Sequence, residues 1–493
     1  MSDRSDVVSG SLPWPAEYTR LLPVLHKEWG VKDGILLTRQ LSGGKSGALV
    51  FFVDVSTKDF TGQAILKLDC AANAAHKEQN EAERFDAAIA DAPQFAARHL
   101  PRILHTSHKD GKIAILSTIA GTGLEYIESW NDCSYERKLE SAKHVSLRLL
   151  ESWNSDYRLT AGVTTPQDLL RSWLGYRIDP LEGGRLHSLL GEDCGVSPSE
   201  PTFIVDGTWF PNPLAFAQHT VPNADRMNLR GAMGHCHGDF HGLNLLVSRK
   251  QEETGEFHLI DLAHYESEQY LFYDHAYFEL ATLLSEHENS SGKDWVSAIS
   301  HLSRFWSIDD VGESRTDQIG LIQLVQSVRQ GIAEWIEKHE PDRRSFMEGQ
   351  TLLARVATGL MWGHRHRSFK SRQKAFFYAA ASLKDYLKLH RLEWPKSGPV
   401  VTLGSKAEAP AQGWSLAPTL RNQSPARQFA AGLLAVTMIV ALAFFAGEVR
   451  GWRDSGGSEV EPPRLADLDA ATLARTSLAV LPFKNINRDG DDG

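Results

Sequence analysis

Between Cys236 and Ala263 the chain places three oxygen-bearing side chains at spacings that suit phosphoryl chemistry. His237-Gly238-Asp239-Phe240-His241-Gly242-Leu243-Asn244 sets an Asp and an Asn five residues apart on one loop, and Leu259-Ile260-Asp261-Leu262-Ala263 follows it. Moving a phosphoryl group from a nucleoside triphosphate needs few covalent roles. It needs a carboxylate to orient a hydroxyl and accept its proton, oxygen ligands for a divalent cation, and a cation on the phosphates. Asp239 and Asn244 can meet the first need and part of the second, and Asp261 completes the oxygen set. The cation is available upstream in Ile65-Leu66-Lys67, where an ammonium offers a compact point charge.

These residues need elements to hold them. A polar start and a short helix over Pro15–Trp29 are expected, with Leu21, Leu22, Val24, Leu25 and Trp29 on one face. Strand patterns follow at Ile35–Leu37, Ala48–Val55 and Gln63–Leu68, then a helix over Ala74–Ala90, then strands near Arg102–His105 and Lys112–Ser117. After Gly121 helical periodicity dominates, with candidates at Tyr135–Trp153, Pro166–Leu174, Trp295–Phe305, Asp317–Lys338, Ser345–His364 and Ser371–Leu389. One hairpin, Leu245–Val247 with Phe257–Ile260, sits between them and carries Asp261 at its end. The expected fold class is α+β: a small strand-rich lobe, then a larger helical lobe.

Other motifs compete for attention. Ser42-Gly43-Gly44-Lys45-Ser46-Gly47 lies between two strands, where backbone N–H groups can approach phosphates. A Walker A reading needs a glycine at the position of Arg39 and a helix next, and a strand follows instead. His235-Cys236-His237 contains ligand-type residues, but alternate residues of a strand face opposite sides, so one metal ion cannot collect all three. The four cysteines form no C-x-x-C pair, which disfavours a zinc ribbon or a disulfide framework. His364-Arg365-His366-Arg367 reads as a solvated helix end.

The H-G-D-x-x-x-x-N loop and the Ile260-Asp261 pair resemble those of the aminoglycoside phosphotransferases, themselves relatives of the protein kinases; the Asp239-to-Asn244 spacing matches the kinase catalytic loop. The resemblance spans about residues 34–390 and implies a bilobal protein-kinase-like fold that uses ATP and Mg²⁺. It implies that Asp239 is the catalytic base, that Asn244 and Asp261 are metal ligands, and that Lys67 meets the α- and β-phosphates. Glu81, by its spacing to Arg84 and Phe85, resembles the ion-pair partner of Lys67, with Glu78 and Glu83 as rivals. Ser42, Gly43, Gly44 and Gly47 correspond to the phosphate-covering loop, although Ser42 stands where the first glycine belongs. Thr118 and Ile119 correspond to the hinge whose backbone binds adenine. His237 belongs to the same loop as structural support, and Asp274, in Tyr273-Asp274-His275-Ala276-Tyr277, is implied to brace it. Gly238 replaces the arginine of protein kinases, which favours the small-molecule branch.

The implied domains are an extension over 1–33, an N-lobe over 34–121, a C-lobe over 122–392 and a Pro-rich linker over 393–427. A transmembrane helix over 428–447 and an extracytoplasmic segment over 448–493 complete the chain. Phe429–Gly447 is nineteen residues without a charge. At about 1.5 Å per residue this nearly spans a hydrocarbon core of about 30 Å. The polar start, Met1–Gly10, lacks the apolar stretch of a signal peptide, and Lys406, Arg421 and Arg427 precede the apolar run against Arg450 and Arg453 after it, a slight excess that, with the missing signal stretch, places the kinase-like part on the cytoplasmic side of an expected single-pass membrane protein. Ala479-Val480-Leu481-Pro482-Phe483 resembles the opening of TolB-like domains. A net charge of −10 argues against nucleic acid as a partner. Nothing in the sequence names the hydroxyl acceptor, whose pocket is expected between Glu128 and Arg230 and on the C-terminal helices. A non-catalytic nucleotide sensor or an adaptor is the alternative to an active phosphotransferase.

Overall fold

The computed structural model describes residues 12–41, 47–70, 81–121, 126–179, 185–220, 228–250, 255–286, 290–302, 316–364 and 368–401. All of them fall within one compact unit. Five strands, β1 (Ile35–Leu41), β2 (Leu49–Ser56), β3 (Thr61–Cys70), β4 (Ile103–Lys109) and β5 (Lys112–Thr118), form an antiparallel sheet in the order β1-β2-β3-β5-β4. The two-residue period of a strand sorts its faces. Ala64, Leu66 and Leu68 of β3 are buried with Phe51 and Val53 of β2. By the same period Lys67 faces the other way, in the middle strand, registered between Val50 and Ile115.

A 3₁₀ turn at Ala16–Leu21 runs into helix α1 (Leu22–Trp29), and Leu21, Leu25 and Trp29, four residues apart, enter the core of the sheet. Residues expected as an extension therefore close the small lobe, because that apolar stripe has nowhere else to be buried. Between β3 and β4 lie α2 (Glu81–Asp91) and α3 (Pro93–His99). The earlier half of the helix expected from Ala74 falls in 71–80, outside the described residues.

The second half is mainly helical: α4 (Tyr135–Arg148), α5 (Pro166–Leu174), α6 (Tyr273–Glu286), α7 (Gly292–Leu302), α8 (Thr316–His339), α9 (Arg344–His364) and α10 (Phe369–Leu389). This is the α+β layout that the resemblance implied, a strand-rich amino-terminal part followed by a helical carboxyl-terminal part. The hairpin expected there is present, with Leu245–Val247 paired to Phe257–Leu259, and among the described residues it belongs to one of three small sheets, the rest of whose strands were not expected. One joins β6 (Ile127–Ser129) to β11 (Leu245–Ser248) and β12 (Phe257–Leu259). A second joins β7 (Arg158–Leu159) to β10 (Ala232–Cys236) and β13 (Glu266–Tyr270), and the third is the hairpin of β8 (Thr202–Val205) with β9 (Thr208–Pro211). Strands of two to five residues are too short to show alternation, and β10 finds β13 only through the intervening loop.

The first residues of the stretch expected as linker are docked. Trp394 donates its indole N–H to Pro201 O at 2.9 Å, and Val401 N–H reaches Ile204 O of β8 at 2.8 Å. A buried Trp overrides the Pro-rich composition around it. Among the described residues no helix is long and apolar enough to cross a membrane. The apolar stretch 428–447, the rest of the linker and the TolB-like stretch all lie outside the described residues.

Candidate active site

Lys67 stands at the centre of the site. Its Nζ lies 2.6 Å from Glu81 Oε2 on α2 and 3.2 Å from Asp261 Oδ1. Burial alone would lower the pKa of this ammonium, but the carboxylates of Glu81 and Asp261 raise it well above its ordinary value, so it stays charged. Lys67 in turn holds Asp261 below the ordinary carboxylate range, against the effect of burial. Of the three glutamates that competed for Lys67, Glu81 makes the pair; Glu83 is exposed and Glu78 lies outside the described residues.

Asp261 follows β12 with φ +62°, a left-handed conformation that Asp adopts more readily than most residues. Its side chain is 44% exposed, so the carboxylate is open to a ligand while one oxygen meets Lys67. Asn244 starts the hairpin: its backbone oxygen accepts from Ile260 N–H at 3.1 Å, and its side-chain NH₂ donates to Asp239 O at 3.0 Å. That hydrogen bond fixes which end of the amide is the oxygen. Asn244 Oδ1 and the Asp261 carboxylate are oxygen donors of the kind a Mg²⁺ ion takes. Among the described residues no group of three or more His, Cys, Asp or Glu side chains could hold a metal ion. Cys236 is buried, and His235 Nδ1 lies 3.0 Å from Ser267 O.

The loop bearing Asp239 is held from below. Asp274 accepts the N–H groups of His237 (2.7 Å) and Gly238 (3.1 Å). Complete burial pushes its pKa up to about 7, against the lowering effect of those two donors. His237, also buried, joins the loop to the hairpin by its Nε2 contact with Ile260 O at 2.8 Å. Gly238 has φ +81°, and a Cβ there would stand 2.1 Å from His264 O. The backbone itself demands glycine at this place.

Two neighbours of Asp239 were missed in the sequence. The Tyr277 hydroxyl donates to Asp239 Oδ1, and His241 Nε2 lies 3.5 Å from Oδ2. Tyr277 stands one helical turn after Asp274 on α6, so its spacing was a usable signal. One half-turn further, buried Glu279 pairs with Arg329 Nη2 at 2.5 Å and Arg355 Nη2 at 3.3 Å and accepts from Tyr378 OH at 3.0 Å. These contacts tie α6 to α8, α9 and α10.

The nucleotide side is partly described. Ser42, Gly43 and Gly44 lie outside the described residues, and Gly47 has φ +76° at the start of β2. At the hinge, Thr118 donates its N–H to Arg102 O at 2.9 Å and accepts Arg102 N–H on its hydroxyl. Ile119 follows one residue past β5.

No known protein family matches the chain, and no curated protein matches it in sequence. Solved structures with some likeness include an aminoglycoside-3'-phosphotransferase of type VIII, 16% identical, with a TM-score of 0.30, covering 64% of this chain and 100% of that one. The kinase domain of PknI from Mycobacterium tuberculosis is 13% identical with a TM-score of 0.23, over 72% of this chain and 98% of that one. A candidate fructosamine-3-kinase from Haemophilus somnus is 10% identical with a TM-score of 0.30, over 74% of this chain and 96% of that one. At scores of this size the likeness adds nothing to the geometry above.

Proposed function

We propose that the chain is an ATP- and Mg²⁺-dependent phosphotransferase that moves the γ-phosphate to a hydroxyl of a small molecule or protein. The observation that carries this reading is Lys67, which meets Glu81 from α2 and Asp261 from 194 residues away in sequence at 2.6 and 3.2 Å. A lysine held charged between two carboxylates, beside a braced Asp on a loop with Asn, is an arrangement suited to polyphosphate chemistry.

In this mechanism Lys67 neutralises the α- and β-phosphates, and Glu81 keeps the lysine extended toward them. The hinge around Thr118 and Ile119 offers backbone groups to adenine. Mg²⁺, when bound through Asn244 and Asp261, supplies charge neutralisation on the phosphate oxygens. Asp239 aligns the acceptor hydroxyl with the γ-phosphorus and takes its proton as the new P–O bond forms and the bond to the β-phosphate oxygen breaks, releasing ADP. Asp274 keeps that loop from shifting. Alignment is the larger part of the effect, since a loose transition state asks little of the base.

Asp239→Asn and Asp261→Ala should each lower phosphate transfer from labelled ATP by roughly 10²–10⁴-fold, the range of a lost base or charge clamp, with the fold intact by circular dichroism. Transfer surviving in both variants would end the assignment. The same reading includes attachment to a membrane through residues 428–447, with the phosphotransferase part on the cytoplasmic side.

A further inference from the structure

The Lys67–Glu81 pair depends on where α2 sits, and α2 is fastened at two points to the segment that follows the metal-binding Asp261. Arg84, one turn after Glu81, donates from Nη1 to Tyr265 O at 2.5 Å. Tyr265 in turn donates its hydroxyl to Asp91 Oδ2, at the far end of the same helix, at 2.7 Å. Tyr265 is 2% exposed, and its ring lies parallel to that of Trp153, 6.0 Å away with 4° between the planes. His235 Nδ1 approaches Asp91 to 3.9 Å from the other side.

We infer that Tyr265 is a positioning residue, a latch that holds α2 against the Asp261 segment so that Glu81, Lys67 and Asp261 stand assembled before any nucleotide arrives. The latch spans the helix: Arg84 anchors its first turns and Asp91 its last, and both bonds end on one residue four positions past Asp261. A helix fixed at both ends cannot swing Glu81 away from Lys67 without breaking one of these two part-buried hydrogen bonds. The site therefore needs no separate activating event to bring Glu81 into place. The inference rests on the phosphotransferase reading only for its consequence in nucleotide binding; the latch itself is a statement about α2.

Tyr265→Phe removes the hydroxyl and keeps the ring against Trp153, Asp91→Ala removes the acceptor, and Asp91→Asn retains an acceptor oxygen. In the full chain, amide hydrogen exchange over 81–91 should accelerate roughly tenfold in Tyr265→Phe and in Asp91→Ala, the scale of one intramolecular hydrogen bond. It should accelerate no further in the double variant, and should stay near wild type in Asp91→Asn. Exchange in the core helix 344–364 should not change. Affinity for Mg-ATP, measured by calorimetry, should fall about three- to tenfold in the first two variants, with Asp91→Asn restoring it. Unchanged exchange over 81–91 in both single variants overturns the latch, whatever happens to ATP. Wild-type ATP affinity in variants whose α2 has loosened overturns its role in positioning. A wild-type chain that binds no Mg-ATP, with α2 loosened by Tyr265→Phe, leaves the latch standing and sinks the phosphotransferase reading instead.

Discussion

At the scale of single residues, the charges of the site are kept in their working forms by specific neighbours. Lys67 stays an ammonium because Glu81 and Asp261 outweigh its burial, and Asp261 stays a carboxylate because Lys67 faces it. A different balance holds at His275 on α6, which is 2% exposed, reaches Ser146 O at 2.9 Å, and has its pKa pushed down from 6.5 to about 4 by burial. The unfolded chain takes up this proton near 6.5, whereas the folded chain resists it until about 4. Stability is therefore whole above the unfolded value and is lost as pH falls through that window. The urea midpoint should drop between pH 7 and pH 5, and should drop less in His275→Gln, which can still donate to the Ser146 carbonyl. An identical pH dependence in the two proteins would remove His275 from the account.

At the scale of elements, α6 does most of the positioning. Asp274 takes two backbone N–H groups of the loop bearing Asp239, Tyr277 donates to Asp239, and Glu279 fixes the helix to three others through Arg329, Arg355 and Tyr378. Breaking a buried pair of this kind leaves an uncompensated charge, so the helix is hard to move. The loop it supports is equally constrained at Gly238. Gly238→Ala should cost about 2 kcal/mol or more in denaturant unfolding, because the Cβ would meet His264 O at 2.1 Å in a left-handed backbone. Phosphate transfer should fall with it as the Asp239 loop is displaced. A variant of wild-type stability would mean that the loop accommodates a side chain without moving.

For the whole molecule, the described residues form one unit that ends in a docked tail, Trp394 to Val401 against β8, ahead of the proposed membrane segment. The full chain should sediment with lipid vesicles and require detergent for release, and the 1–401 fragment should remain in the supernatant. Equal partitioning would refute the anchor. Much of this protein could be read from its residues in order. The sheet strands, the long helices and the positions of Lys67, Asp239, Asn244 and Asp261 depend on local spacing and periodicity, which the chain carries within windows of a few residues to a few turns. Glu81 was readable only as one of three glutamates, since a helix face offers several candidates and the sheet opposite selects one. Of the short strands only the hairpin of β11 and β12 was legible, and the others left no periodic trace. Tyr277 on Asp239 and Tyr265 on Asp91 join residues 38 and 174 positions apart. Such meetings follow from the path of the entire backbone, so the chemistry of the site was present in the sequence, while its partners and its rigidity were settled only by tertiary packing.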